Sequence, residues 1–147
     1  MKTRIETDTL GAKRIPASVY YGIQTVRAVE NFPISGLRAD PKFLEAYIVL
    51  KKAAALANRR CGVLNAKIAK AIVVACDEIL GGRLRDQFPV DVFQMGAGTS
   101  LHMNVNEVLA NRANEMLGSK KGAYAPAHPN DHVNMSQSTN DTFPSAM

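Results

Sequence analysis

Two long stretches of this chain repeat apolar residues at steps of three and four between strong start and stop signals, and a helical fold is what satisfies that pattern. Phe43, Tyr47, Leu50, Ala54, Ala57 and Cys61 share one face of the first. Asp40-Pro41 opens it as an N-cap acceptor followed by proline, Arg59 and Arg60 suit its negative end, and Gly62 closes it. Asn65 starts the second, with Ile68, Ile72, Ala75 and Ile79 on a stripe and Gly81-Gly82 behind it. The spacing predicts two antiparallel helices joined by a short turn.

Around this pair the signals change. Lys2 to Thr7 alternates, Gly11 turns the chain and Pro16 blocks a helix, which predicts a short extended arm. Ser18 is the expected cap of a short helix ending near Asn31 before Pro33. Residues 83–97 read as extended or irregular, and Gly96-Ala97-Gly98 as a hinge into a third long helix. Thr99 or Ser100 is the expected cap of that helix, which reaches about Leu117 and ends at Gly118. It carries a polar stripe, Asn104, Glu107, Asn111 and Asn114. Asn114 is expected on a wet outer face, while Asn104 and Glu107 divide evenly between that and a partly buried hydrogen-bonding role. Lys120 to Ala127 reads as a loop. The fold class is mainly α.

The densest polar run, His128 to Thr142, is nearly free of aliphatic residues. So many amides, hydroxyls and imidazoles are costly in a core unless each finds a partner, so the run reads as a site wall or a solvated loop. Ser138-Thr139-Asn140 before Asp141 looks like a helix entrance, where backbone N–H groups favour an anion. The helix it opens stops at Met147 with no closing Gly, Lys or Arg, which predicts an N-terminal piece of a longer protein.

Several chemistries are disfavoured by pattern. Gly96-Ala97-Gly98-Thr99-Ser100 fails the dinucleotide motif, because the third glycine would fall at Leu101, and it lacks a P-loop lysine. His128 and His132 are four apart, but Pro129 prevents a regular helix across them and no third zinc ligand is spaced for them, so no metal is expected. Ser138 lacks nucleophile-elbow glycines. The two asparagine glycosylation patterns at Asn134 and Asn140 mean little without a secretory signal.

The net charge of +5 and pI near 9.4 come from scattered pairs such as Lys51-Lys52 and Arg59-Arg60. With no basic run and no interleaved aromatics, nucleic acid is not the expected partner; small anionic substrates are. No stretch is apolar enough to span a bilayer. Cys61 and Cys76, with no CxxC, read as buried thiols of a reduced cytoplasmic protein.

Against this reading stands a likeness that covers essentially the whole chain. Gly96-Ala97-Gly98-Thr99-Ser100-Leu101-His102-Met103-Asn104-Val105-Asn106-Glu107-Val108 resembles the first signature region of the aspartase/fumarase superfamily. His128-Pro129-Asn130-Asp131-His132-Val133-Asn134 and Ser136-Gln137-Ser138-Thr139-Asn140-Asp141 resemble the neighbouring part of the same site, and Tyr20 to Phe32 and Asp86 to Asp91 match as well. Within the superfamily Tyr20-Tyr21-Gly22, Gly-Ala-Gly-Thr-Ser and Ser138-Thr139-Asn140 lean towards aspartate ammonia-lyases. His102, His128 to Asp131 and Thr142-Phe143-Pro144 lean towards class II fumarases, the second choice.

The resemblance implies the N-terminal helical domain of the L-aspartase-like fold over residues 1–137, with 138–147 starting the long helix of a central bundle. It implies reversible anti-elimination of ammonia from L-aspartate to give fumarate, without a cofactor, through an aci-carboxylate. Thr99, Ser138 and Thr139 would donate to the developing carboxylate and Asn140 would hold the leaving amine. His128, Asn130 and Asp131 would form a secondary anion site. The base, a serine on a mobile loop, is expected downstream of residue 147, in a homotetramer whose sites draw on three subunits. The catalytic set is thus expected to be absent here, and these residues alone to be inactive or to act as an assembly module.

Overall fold

The computed structural model describes residues 2–147. The N-terminal arm closes into an antiparallel hairpin, β1 (Thr3–Asp8) and β2 (Gly11–Pro16), with Thr3 opposite Pro16 and Asp8 opposite Gly11. Gly11 turns at φ +103°, and Asp8 accepts the Leu10 amide at 2.9 Å. Arg4 then ties the hairpin to the following segment, donating to the carbonyls of Pro16, Val19 and Tyr21 at 2.9, 2.8 and 2.7 Å.

Helix α1 spans Ile23–Asn31. Ser18 lies in a turn before it and does not cap it; the N-cap is Gly22, which has no side chain to offer. Buried carboxylates from elsewhere in the chain take over the role. Glu107 accepts from the amides of Gly22, Gln24 and Thr25 at 2.9, 2.9 and 3.1 Å and from the Thr25 hydroxyl at 2.6 Å. Glu6 accepts from the Ile23 amide at 2.9 Å. These are the orphan donors of a helix start, met by charge at the positive end of the dipole. Burial raises the Glu107 pKa, while those donated hydrogen bonds oppose it by favouring the carboxylate.

Helix α2 (Pro41–Arg60) begins as the sequence predicts, with Asp40 accepting the Lys42 and Phe43 amides at 2.7 and 3.4 Å. Helix α3 (Ala66–Leu80) is capped in the same way by Asn65, which accepts from Lys67 and Ile68 at 2.9 and 3.4 Å. The two pack against each other, and Ile72, Ala75 and Ile79 are buried on the expected stripe of α3. On α2 the buried face drifts by a residue: Lys51, Ala55 and Asn58 go inside while Ala57 and Cys61 face solvent. Of the two cysteines only Cys76 is buried. The drift follows from what covers that end of α2. It is a polar loop, to which Asn58 donates at the Met135 carbonyl at 2.9 Å, and apolar periodicity is blind to such a partner.

Helix α4 (Thr99–Met116) runs through the middle, packed on α1, α3 and the later segments. From Ser100 to Asn111 every residue is buried, so its polar stripe is an inner one. Asn104 donates to the Gln87 carbonyl at 2.9 Å. Asn111 donates to the Tyr20 carbonyl at 2.8 Å and accepts from the Gly122 amide at 2.7 Å. Asn114 is fully buried, contrary to the expected wet face, because it pairs with both backbone groups of Ala127 at 2.8 and 2.7 Å. These pegs fix the loop over residues 119–127 onto the helix. Between α1 and α2, Asp91 performs the same task for the turn at Ser35 and Gly36, accepting their amides at 2.8 and 2.7 Å and the Ser35 hydroxyl at 2.8 Å.

Two tests follow from these carboxylates. Replacing Glu107→Gln turns an amide N–H towards backbone N–H donors and should cost about 3 kcal/mol in urea unfolding followed by circular dichroism. A loss under about 1 kcal/mol would mean that α1 is held by packing alone. For Asp91, burial pushes the carboxyl up, but donors from Phe93, Ser35 and Gly36 outweigh it and hold it down to about 2. Since the folded value is depressed, its contribution is complete above about 3.9, the unfolded value, and is lost as pH falls towards the folded one. Stability measured between pH 5 and pH 2, a window set by those two values, should therefore fall less steeply for Asp91→Asn than for the parent.

Candidate active site

The polar run from His128 onward is an ordered, largely self-satisfied segment. It opens with a single π-helical turn, Pro129–Val133, so the proline stops a regular α-helix but not a wider turn. His128 Nδ1 accepts the amides of Asn130 and Asp131, both at 3.2 Å, and His132 Nδ1 accepts the His128 amide at 2.9 Å. Both imidazoles are thus engaged with backbone. Among the described residues no group of three or more His, Cys, Asp or Glu side chains is placed to hold a metal ion. Pro129 and Val133 are buried against α4, which seats the turn.

Downstream, Gln137 donates to the carbonyls of Val133 and Met135 at 3.0 and 3.1 Å, and Asn134 donates to the Gln137 carbonyl at 3.2 Å. Ser136 takes φ +59°, reversing the chain into helix α5 (Thr139–Ala146). Ser138 is its N-cap and accepts the Asn140 amide at 3.2 Å. Ser138 and Asn140 are exposed and Thr139 is half-buried, so all three stand at a helix mouth open to solvent.

The other mouth is that of α4. Its N-cap is Gly98, in the left-handed region at φ +83°, and neither Thr99 nor Ser100 caps it. The glycine is there for two reasons. Its backbone is one that L side chains resist, and a Cβ would lie 2.1 Å from the Phe143 ring of α5. The two helix starts therefore meet through this contact. Phe143 also packs edge-on against Phe43 and Tyr47, at centroid separations of 5.0 and 5.9 Å, and is not the exposed apolar residue that an assembly module would present; Met147 is exposed.

Behind α5, Tyr47 and His102 share a short hydrogen bond, and the Thr142 hydroxyl lies 3.2 Å from Tyr47 Oη and 3.5 Å from His102 Nδ1. Burial, reinforced by the Lys51 charge, brings the His102 pKa down to about 4, so at neutral pH the imidazole is uncharged.

The expected site residues fall in three places. Thr99 lines a cavity of about 400 Å³ with Asp8, Gln24, Arg27, Asn31 and Met103, a lining that includes none of Ser138, Thr139 and Asn140. Those three stand together at the start of α5. His128 and Asn130 line a third space of about 240 Å³ with Thr7, Gln24 and Tyr124, while Asp131 is exposed beside them. What links Thr99 to the Ser138 corner in this chain is the Gly98–Phe143 contact. Lys51 was missed altogether: it reads as half of a surface pair yet is fully buried beneath this segment. Nothing in its neighbours along the chain signals that.

Comparison with known proteins bears on what such a corner does. A lyase family profile matches residues 11–147, and the chain belongs to that family. It is 58% identical over 144 residues to an aspartate ammonia-lyase of Bacillus subtilis (strain 168), covering 98% of this chain and 30% of that protein. It is 53% identical over 145 residues to a class II fumarate hydratase of Thermosynechococcus vestitus, covering 99% of this chain and 31% of the other. A crystal structure of the fumarate lyase:delta crystallin from Brucella melitensis superposes with a TM-score of 0.95 at 54% identity, over 99% of this chain and 34% of that one. The expected mainly helical lyase fold is thereby met, and the chain spans about a third of the length of the relatives it matches.

The Gly98 contact can be tested directly. Gly98→Ala should destabilise the chain by about 2 kcal/mol or more, from positive φ and the clash together. Thermal unfolding of Gly98→Ala combined with Phe143→Ala should show less than the sum of the single losses, because removing the ring removes the clash.

Proposed function

We propose that these residues form part of a lyase that reversibly eliminates ammonia from L-aspartate to give fumarate. A base takes the proton from the carbon beside the β-carboxylate, the electron pair flows onto that group as an aci-carboxylate, and its return expels the amine. Donors preorganised at the doubly charged oxygens lower that barrier. Thr99, Ser138 and Thr139 are the proposed donors, aided by the positive end of α5, and Asn140 the proposed partner of the amine. His128, Asn130 and Asp131 are the proposed secondary anion site. The base and the remaining donors come from further residues of a longer chain and from partner subunits of a homotetramer in the cytoplasm. Residues 1–137 are its first domain and 138–147 open a bundle helix.

The observation that carries this reading is the mouth of α5, where Ser138, Thr139 and Asn140 stand adjacent on a helix start fixed by capping and by packing of Phe143. The aspartate ammonia-lyase names among relatives at 52–58% identity favour ammonia as the leaving group. Hydration of fumarate is the second reading, favoured by class II fumarate hydratases at 53–56% identity.

The full-length protein decides between them: fumarate absorbance should rise with L-aspartate, and faster than with L-malate. The reverse order assigns it to hydration. In the same protein Thr139→Val should lower kcat by about a hundredfold. An unchanged kcat removes Thr139 from the site. Residues 1–147 alone should show no turnover, and any activity there would place the base among them.

A further inference from the structure

We propose that Lys51 is a positioning residue for the Ser138–Asn140 corner, holding the approach to α5 from beneath and placing a buried positive charge behind the anion-binding mouth. The inference rests on the reading of that corner given above. Lys51 sits in the middle of α2 with its side chain wholly inside. Its Nζ donates to Asn134 Oδ1 at 3.1 Å and to Gln137 Oε1 at 2.9 Å, and stands 5.6 Å from the centroid of the Tyr47 ring. Those amides are the ones that close the turn Asn134–Gln137 onto its own carbonyls, so the lysine binds the turn whose last residue precedes Ser138.

What makes this arrangement more than a structural peg is that, among the described residues, no carboxylate meets the lysine. Its partners are neutral amide oxygens, and among the described residues it takes part in no ion pair. A buried ammonium without a counter-charge is costly, and a hydrophobic side chain of similar length would stabilise the helix pair better. A bound dicarboxylate at the mouth of α5 supplies the missing charge, and the lysine in turn adds to the helix end a full charge that water does not screen.

The groups facing Lys51 leave it the only one of the set that titrates near neutrality. Burial lowers its pKa to about 7, with Cys76 of α3 opposing that slightly. Tyr47 on α2 and Cys76 are each pushed up to about 12 by burial, and His102 on α4 is brought down to about 4. Asn134 and Gln137 do not ionise.

The test is a KM-against-kcat split in the full-length protein, with whichever of L-aspartate and L-malate it turns over. In the parent, KM should rise as pH is taken from 6 to 8.5 through the value near 7, as the lysine loses its proton. Lys51→Met should raise KM at pH 6 by about tenfold, leave kcat within about threefold, and show a KM that no longer varies over that window. A pH-dependent KM persisting in Lys51→Met, or an unmoved KM at pH 6 in a folded variant, overturns the proposal. Should Lys51→Met fail to fold, Gln137→Met, which removes one acceptor and no charge, should raise KM in the same direction by about threefold; no rise there overturns it equally. Thr139→Val measured alongside separates the two readings. A collapsed kcat there with an unmoved Lys51→Met KM overturns the lysine's role alone, whereas an unmoved kcat overturns the corner itself.

Discussion

The architecture depends on one carboxylate being buried in the middle of one helix and at the start of another. Glu107 lies halfway along α4 and gathers the first amides of α1, which has no capping side chain of its own. Taking a carboxylate out of water is expensive, and only donors to both oxygens make it tolerable. The Thr25 hydroxyl and three backbone amides supply them. Because a helix start and a carboxylate are matched in direction as well as charge, the pair fixes the angle at which α1 leaves the hairpin. Glu6 on β1 reaches the same place, and Tyr124 donates to it, so hairpin, α1, α4 and the loop over 119–127 converge on a single point. Gly22 sits in the middle with no room for a side chain: a Cβ would lie 2.3 Å from the Tyr124 hydroxyl.

How much of this was legible in the sequence depends on how far each residue's partner lies along the chain. Asp40 and Asn65 cap amides two and three residues on, and both helix starts were readable for that reason. The apolar stripe of α3 was equally plain. Asn114 and Lys51 were misjudged because polarity alone cannot tell a wet face from an inner one. What buries Lys51 is Asn134, 83 positions away, and what buries Asn114 is the backbone of a loop with no pattern of its own. The start of α4 was misread locally, since Thr99 and Ser100 are good capping types, yet the left-handed Gly98 takes the capping position. The likeness to lyases found the candidate site residues but said nothing of the grip beneath them.

The segment carrying those residues illustrates how a polar run can be rigid without a core. From His128 to Thr142 the side chains of His128, His132, Asn134, Gln137, Ser138 and Thr142 each answer a backbone group close by, so the run is internally braced before it meets its neighbours. Its apolar members, Pro129, Val133 and Phe143, attach that braced unit to α4 and to the aromatic cluster of α2. Ser138, Asn140 and Asp141 are left exposed at its end. A surface so placed needs little rearrangement to receive a ligand, and preorganisation of that kind is what electrostatic catalysis requires.

The asparagines of α4 have a consequence for the stretch they hold. Asn114 offers the loop over 119–127 the same donor-and-acceptor pairing that a neighbouring strand would, and Asn111, one turn earlier on the same helix face, accepts from the Gly122 amide while donating to the Tyr20 carbonyl. A stretch without regular secondary structure thereby shares the fate of the helix beneath it. It opens to solvent or to a protease when α4 itself loosens, and the two behave as one cooperative unit.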